Sequence, residues 1–239
     1  MLSMLEICQD CADLLTVQKP DSLFDEDSQH NAVFLSVAKK ALDKILRYGD
    51  WQELTKTGCL RTVANKSSYL LKHIAPDFFS LLNNTIYVKD TKEKVIGAIT
   101  PEQWMRDKYF NIVGTDIRFV IQNGMIRFLN PPAAGLSVVF QYRSNTVVYD
   151  AKTLEEKPQL TKNTDIPVFD EYLVKLAVEW IWLKRNGMDY AEEFNEFERE
   201  IKKRYGAGLA TKDINLSGAV FDPADTGVFI NAATSDKQK

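Results

Sequence analysis

Residues 167–205 encode two successive helices with their start and stop signals in place, and any fold of this chain must bury both. Pro167 precedes the first helix, and Asp170 and Glu171 put negative charge in its opening turn, where the helix dipole favours it. Phe169, Tyr172, Leu173, Leu176, Trp180 and Leu183 recur at three and four residues and make one helical face. Val174, Val178, Ile181 and Trp182 add a second apolar face, which leaves Lys175, Glu179 and Lys184 as a thin polar strip. A helix apolar on two sides needs two covers. The expectation is that the chain's own core supplies one and a neighbouring subunit the other. Val174, Val178, Ile181 and Trp182 are therefore candidate subunit-interface residues.

Asn186 and Gly187 close this helix, with Lys184 and Arg185 in its last turn. Asp189 and Glu192 have capping-box spacing for the next one, whose apolar line is Tyr190, Phe194, Phe197, Ile201 and Tyr205. Gly206-Ala207-Gly208 reads as a hinge after it, since no strand precedes these glycines as a phosphate cradle requires.

The first fifty residues are helical as well. Leu2, Leu5, Cys8, Ala12 and Leu15 suggest one amphipathic helix. After the acidic link 21–27, Ser28 or Asn31 can cap a second helix, lined by Phe34, Val37, Ala38, Ala41, Leu42, Ile45 and Leu46 and stopped at Gly49. Trp51 and Leu54 then read as a short anchor packing on the hairpin of helices. From there the pattern turns to strands, at 60–63, 69–74, 85–88 and 95–99, with 76–82 as a turn into a brief helix. Thr100, Pro101 and Gln103 agree on a helix start, as N-cap, first helical residue and third residue after the cap. Strands at 117–121 and 125–129 flank Asn123-Gly124, a type I′ turn signal. Arg118 and Arg127 are then expected to be neighbours across that hairpin. Residues 138–142 and 146–149 extend the sheet, and 150–165 is a polar connection.

Helices at both ends of the chain thus enclose a β-rich middle. The expected fold class is α+β: a helical bundle domain (1–56 and 165–208) with an inserted small antiparallel β domain (57–164). An extended tail follows at 209–239. Glycine and proline deny it long elements, yet it keeps Ile214, Leu216, Val220, Phe221, Val228, Phe229 and Ile230, too many for a solvating tail. It reads as a segment that orders on a partner protein.

Composition and motif content narrow the function. A chain of 239 residues, 45% hydrophobic and 26% charged, can hold an ordinary globular core. Its net charge of −3 argues against gripping nucleic acid by the phosphate backbone. Glu6, Asp10 and Asp13 argue against a signal peptide, no apolar run reaches membrane-spanning length, and no membrane partner is expected. Cys8, Cys11 and Cys59 make no disulfide framework, which suits a reducing cytoplasm. The Cys8–Cys11 pair has half-zinc-site spacing, but only Cys59, His30 and His73 could complete it; two small apolar side chains on a helix is the better reading. Asp25-Glu26-Asp27 lacks the glycine and distal acid of a calcium loop, since His30 and Ser36 stand there. No catalytic, cofactor-binding or metal residues are assigned, and no enzymatic activity is expected.

Several segments carry a resemblance in their order: Asp50-Trp51-Gln52-Glu53-Leu54, Ala75-Pro76-Asp77-Phe78, Ile99-Thr100-Pro101-Glu102-Gln103-Trp104 and residues 126–135 (IRFLNPPAAG). Phe140-Gln141-Tyr142-Arg143, Asp170-Glu171-Tyr172-Leu173, Trp180-Ile181-Trp182-Leu183-Lys184-Arg185 and Asn186-Gly187-Met188-Asp189-Tyr190-Ala191 continue the series. Over residues 1–208 it resembles the head–tail adaptor (head-completion, or tail tubular) proteins of tailed bacteriophages, especially short-tailed ones. The resemblance implies a structural virion protein at the head–tail junction, assembled in the host cytoplasm. It implies a dodecameric ring between the portal protein and the tail nozzle or tube, with double-stranded DNA passing through the lumen unread. The C-terminal extension would then reach the portal. The alternatives are a stopper or tail-terminator ring lower in the neck, or a non-catalytic protein-binding module.

Overall fold

A computed structural model describes residues 1–25, 28–110 and 116–209, with side chains as far as Tyr205. The tail candidates Ile214, Leu216, Val220, Phe221, Val228, Phe229 and Ile230 lie outside the described residues.

The chain opens with α1 (Met4–Leu14), started by a capping box between Ser3 and Glu6, and α2 (Gln29–Leu46), where Ser28 Oγ accepts from the Asn31 N–H. A 3-10 turn at Gln52–Leu54 leads into β1 (Thr55–Arg61). Then come β2 (Ser68–Leu70), α3 (Leu71–Ile74), β3 (Phe78–Leu81), β4 (Tyr87–Val88) and α4 (Pro101–Tyr109). Next are β5 (Phe119–Gln122), β6 (Met125–Phe128), β7 (Ser137–Ser144), β8 (Val148–Tyr149), β9 (Glu156–Lys157) and β10 (Ile166–Pro167). The described chain ends on α5 (Glu171–Arg185) and α6 (Ala191–Leu209). The described residues are thus mixed α+β, with six helices and three small antiparallel sheets.

The long strand β7 is the spine of the largest sheet. It pairs with β1 over seven residues, from Thr55 opposite Arg143 to Arg61 opposite Ser137, and also with β3 and β4. The hairpin β5–β6 turns at Asn123 and Gly124, both at positive φ as a type I′ turn demands, and β2 lines its other side. Two main apolar clusters result. One joins α1, α2, α5 and α6 with Trp51, Val147, Val148 and Leu160; the other gathers Phe119, Phe128, Phe140 and Tyr142 among the strands.

α5 runs through the middle of the helical cluster. Trp180 meets Phe194 and Phe197 of α6 at ring distances of 5.1 and 5.9 Å, while Trp182, about 200° further round the helix, stacks on Phe34 of α2 at 6.3 Å. The assignment of Val174, Val178, Ile181 and Trp182 to a subunit interface is corrected by this packing. Their exposures are 0, 0, 3 and 7%, because α1 and α2 of the same chain lie on that face. Periodicity identified the second apolar face; its cover came from the N-terminal helices and not from another copy. Lys175, on the polar strip, reaches Asp10 of α1 at 2.8 Å and Glu171 at 2.9 Å.

Several local expectations also change: within 95–99 only Ile96 makes a bridge and no strand forms, and Val148–Tyr149 pairs with β9 and β10 in a separate sheet and does not extend that of β7. Residues 78–81 are a strand and not a helix, since β7 offers them a pairing edge that no local signal reveals. The run at 69–74 divides into β2 and the single turn α3. α6 begins at Ala191, whose N–H is held by Asp189 at 3.1 Å, and continues through Gly206 and Gly208 to Leu209, where a hinge was expected. Arg127 stands opposite Val120, and Arg118 instead turns to Asp107 of α4 at 3.0 Å.

The polar connection 150–165 is a clasp. The fully buried Asp165 accepts from Lys157 Nζ at 2.8 Å, from the Thr161 and Lys162 N–H groups at 2.8 and 2.9 Å, and from the Thr161 hydroxyl. Asp150 takes Lys157 at 2.8 Å and Lys162 at 2.7 Å. The same loop fastens the N-terminal segment: the Asp165 carbonyl accepts from the Met4 N–H, and Asn163 Oδ1 accepts from the Leu23 N–H, both at 2.8 Å.

Candidate interaction surfaces

The helical cluster and the β7 sheet meet at an ionic seam. Lys56 of β1 bridges Asp77, at 2.6 Å, and Glu156; the Tyr142 hydroxyl donates to Asp77 at 2.8 Å, and the Thr146 hydroxyl donates to Glu156 at 3.0 Å. Burial pushes the Asp77 carboxyl up, but the bonds from Lys56, Tyr142 and Ser144 outweigh it and hold the group below its usual value. Burial, with the hydrogen bond to Asp77, pushes the Tyr142 hydroxyl up to about 12. Arg143 donates to the Gly49 carbonyl, pairs with Asp50 at 3.2 Å and lies 4.7 Å over the Phe79 ring, which Arg47 approaches at 5.7 Å. An added Cβ at Gly49 would stand 2.3 Å from the Tyr205 ring, so a side chain there would require that ring to move.

Beside this seam opens a cleft of about 830 Å³. Its floor is apolar: Trp51 and Phe169, with rings 5.7 Å apart, Leu173, and Tyr205, whose ring stands 6.2 Å from Trp51. Leu82 and Val168 add to it, while Asp50, Glu53, Gln141 and Asp170 form an exposed polar rim. Asp170 is committed twice, as N-cap of α5 and as partner of Arg204 at 3.0 Å. The anchor expected at Trp51 does pack on the helical hairpin, through Phe169 and Tyr205.

The second surface is α4. Trp104 and Asp107 face inward, and Met105, Tyr109 and Phe110 stand out at 63, 82 and 67% exposure. Thr100 Oγ1 caps the helix by accepting from the Gln103 N–H at 3.2 Å, as its sequence predicts. Neither the cleft nor this apolar patch was singled out from the sequence. The patch had a local signal in Met105, Tyr109 and Phe110, which share the side away from Trp104; the cleft had none, because its walls come from five separate stretches of the chain.

No cysteine or histidine lines the cleft. Cys8 and Cys11 point from α1 into the helical core, as small apolar side chains; burial pushes the Cys8 thiol up to about 12 and, with Cys8 beside it, raises Cys11 as well. His30 donates to the Gln18 carbonyl at 2.6 Å with its ring edge against Phe34. Among the described residues no group of three His, Cys, Asp or Glu side chains is placed to hold a metal ion, and no helix is long and apolar enough to cross a membrane. A thiol reagent applied to the folded chain should modify the exposed Cys59 alone, with Cys8 and Cys11 reacting only after denaturation; mass spectrometry of the labelled chain reads the difference. Rapid native labelling of Cys8 or Cys11 would contradict the packing of α1.

No protein-family model and no curated protein sequence matches the chain.

Proposed function

We propose that this chain is a structural adaptor of the head–tail junction of a tailed bacteriophage, a non-catalytic ring component between the portal and the tail nozzle or tube that extends the DNA channel. The observation that supports this most is where the resembling segments lie. Asp50–Glu53, Gln141, and Asp170 with Leu173 come from three of them, separated widely along the chain, and all line the one cleft. Arg143, of the segment that holds Gln141, pairs with Asp50 across the seam. Segments that merely filled the core would not be gathered around an opening.

In this reading the helical bundle carries an inserted β domain and an extended C-terminal tail, and the chain acts in the virion after assembly in the host cytoplasm. Because α5 is covered from within, contacts between copies fall on other surfaces; the cleft rim and the α4 patch are the available ones. Tyr109 and Phe110 suit attachment of tail proteins, since aromatic side chains at a protein interface gain most from desolvation. The net negative charge of the chain favours a lumen past which DNA slides.

The test is co-sedimentation of the full chain with the portal protein and with the tail-tube protein of the same phage. Binding to portal rings is the expected outcome. Binding to the tail tube alone would make the chain a stopper lower in the neck, and binding to neither would remove it from the junction.

A further inference from the structure

We propose that the cleft is the seat of the chain's own C-terminal segment, which lays Ile214, Leu216, Val220 and Phe221 on the floor of Trp51, Phe169, Leu173 and Tyr205 before any partner takes that segment up. This inference is independent of the adaptor reading.

Its first support is where the described residues end. Tyr205 and Arg204 line the cleft, and the described chain runs in α6 to Leu209, about 6 Å further along its axis at the helical rise per residue. The five residues 210–214 span up to about 17 Å when extended, so Ile214 can turn back to the floor without moving α6. The second support is the match of surfaces. An apolar floor with a polar rim is the form of a site that binds side chains from a peptide. The segment 214–221 supplies four large apolar side chains separated by Asn215, Ser217 and Gly218. The third support is tethering. A short linker holds its ligand at an effective concentration on the order of millimolar, enough for a modest apolar contact to be filled.

Such a seat has a consequence for assembly. The apolar tail stays covered while the chain is free, and the partner that removes it also opens the cleft.

The test is disulfide trapping in the full chain with Cys59→Ser, to silence the exposed native thiol. Glu53→Cys on the cleft rim is combined in turn with a cysteine at 214, 216, 220 or 221, and each variant is oxidised at low micromolar concentration. At least one pairing should give a disulfide within the monomer, mapped by mass spectrometry. Adding Phe169→Ala on the floor should cut its yield about tenfold, with the helical circular dichroism retained. Disulfides only between two chains would overturn the proposal by assigning the cleft to a second copy's tail. No disulfide from any of the four positions, or a yield untouched by Phe169→Ala, would overturn it as well. None of these outcomes touches portal binding, so this proposal and the adaptor reading fail separately.

Discussion

Replacing Asp165 with alanine is expected to destabilise the chain by about 3–5 kcal/mol, measured by denaturant unfolding at neutral pH. The carboxylate is fully buried and takes four hydrogen bonds; without it the Thr161 and Lys162 N–H groups lose their acceptor, and Lys157 keeps only Asp150 and the Thr161 hydroxyl. Asp165→Asn keeps the shape and an acceptor oxygen, so its loss should be smaller, about 1–3 kcal/mol. Because the clasp holds Met4 and Leu23, amide exchange at the start of α1 should quicken in both variants. A loss for Asp165→Ala below about 1 kcal/mol would show that the loop does not brace the N-terminal helices.

The same clasp sets the response to acid. Burial alone would raise the Asp165 carboxyl, but Lys157 and the two backbone N–H groups hold it below its usual value; Lys157 and Lys162 do the same for Asp150. A carboxylate with a lowered folded-state pKa contributes stability that is present above its unfolded value and lost as pH falls through the folded one. Stability should therefore be level from neutral pH down to about pH 5 and decline below about pH 4. Asp165→Asn should flatten that decline.

The second large effect is at Trp182. Trp182→Ala is expected to remove about 3–5 kcal/mol from the isolated chain, through loss of the stacked contact with Phe34 and the cavity left between α2 and α5. The loss should not depend on protein concentration, since the cover is intramolecular. Unchanged unfolding of the free chain, with a defect only in association, would restore the interface assignment that the packing overturns.

These cases show what can be read along the chain and what cannot. Start and stop signals are local chemistry: Thr100 with Gln103, Asn123-Gly124 and Asn186-Gly187 all stand where their side chains or positive φ angles are needed. Apolar periodicity found the buried lines of α2 and α5 for the same reason, whereas on α1 the expected line shares only Cys8 and Ala12 with the buried residues Met4, Ile7, Cys8, Cys11 and Ala12. It could not say which surface covers Val174, Val178, Ile181 and Trp182, because cover is a tertiary property. Residues 78–81 are a strand only because Ser144 and Tyr142 of β7 lie beside them, far along the chain. The clasp reads as solvated loop until Asp165, Lys157 and the N-terminus are brought together. The cleft is the extreme case, since Trp51, Gln141, Phe169 and Tyr205 share nothing in sequence but their meeting place.

An adaptor must be a resident part of the particle, so the most direct measurement is imaging of the purified virion's neck with the chain identified by its own density. The account predicts a closed ring of this chain directly beneath the portal, with the cleft and the α4 patch engaged by neighbouring proteins. A virion that lacks the chain altogether would contradict it.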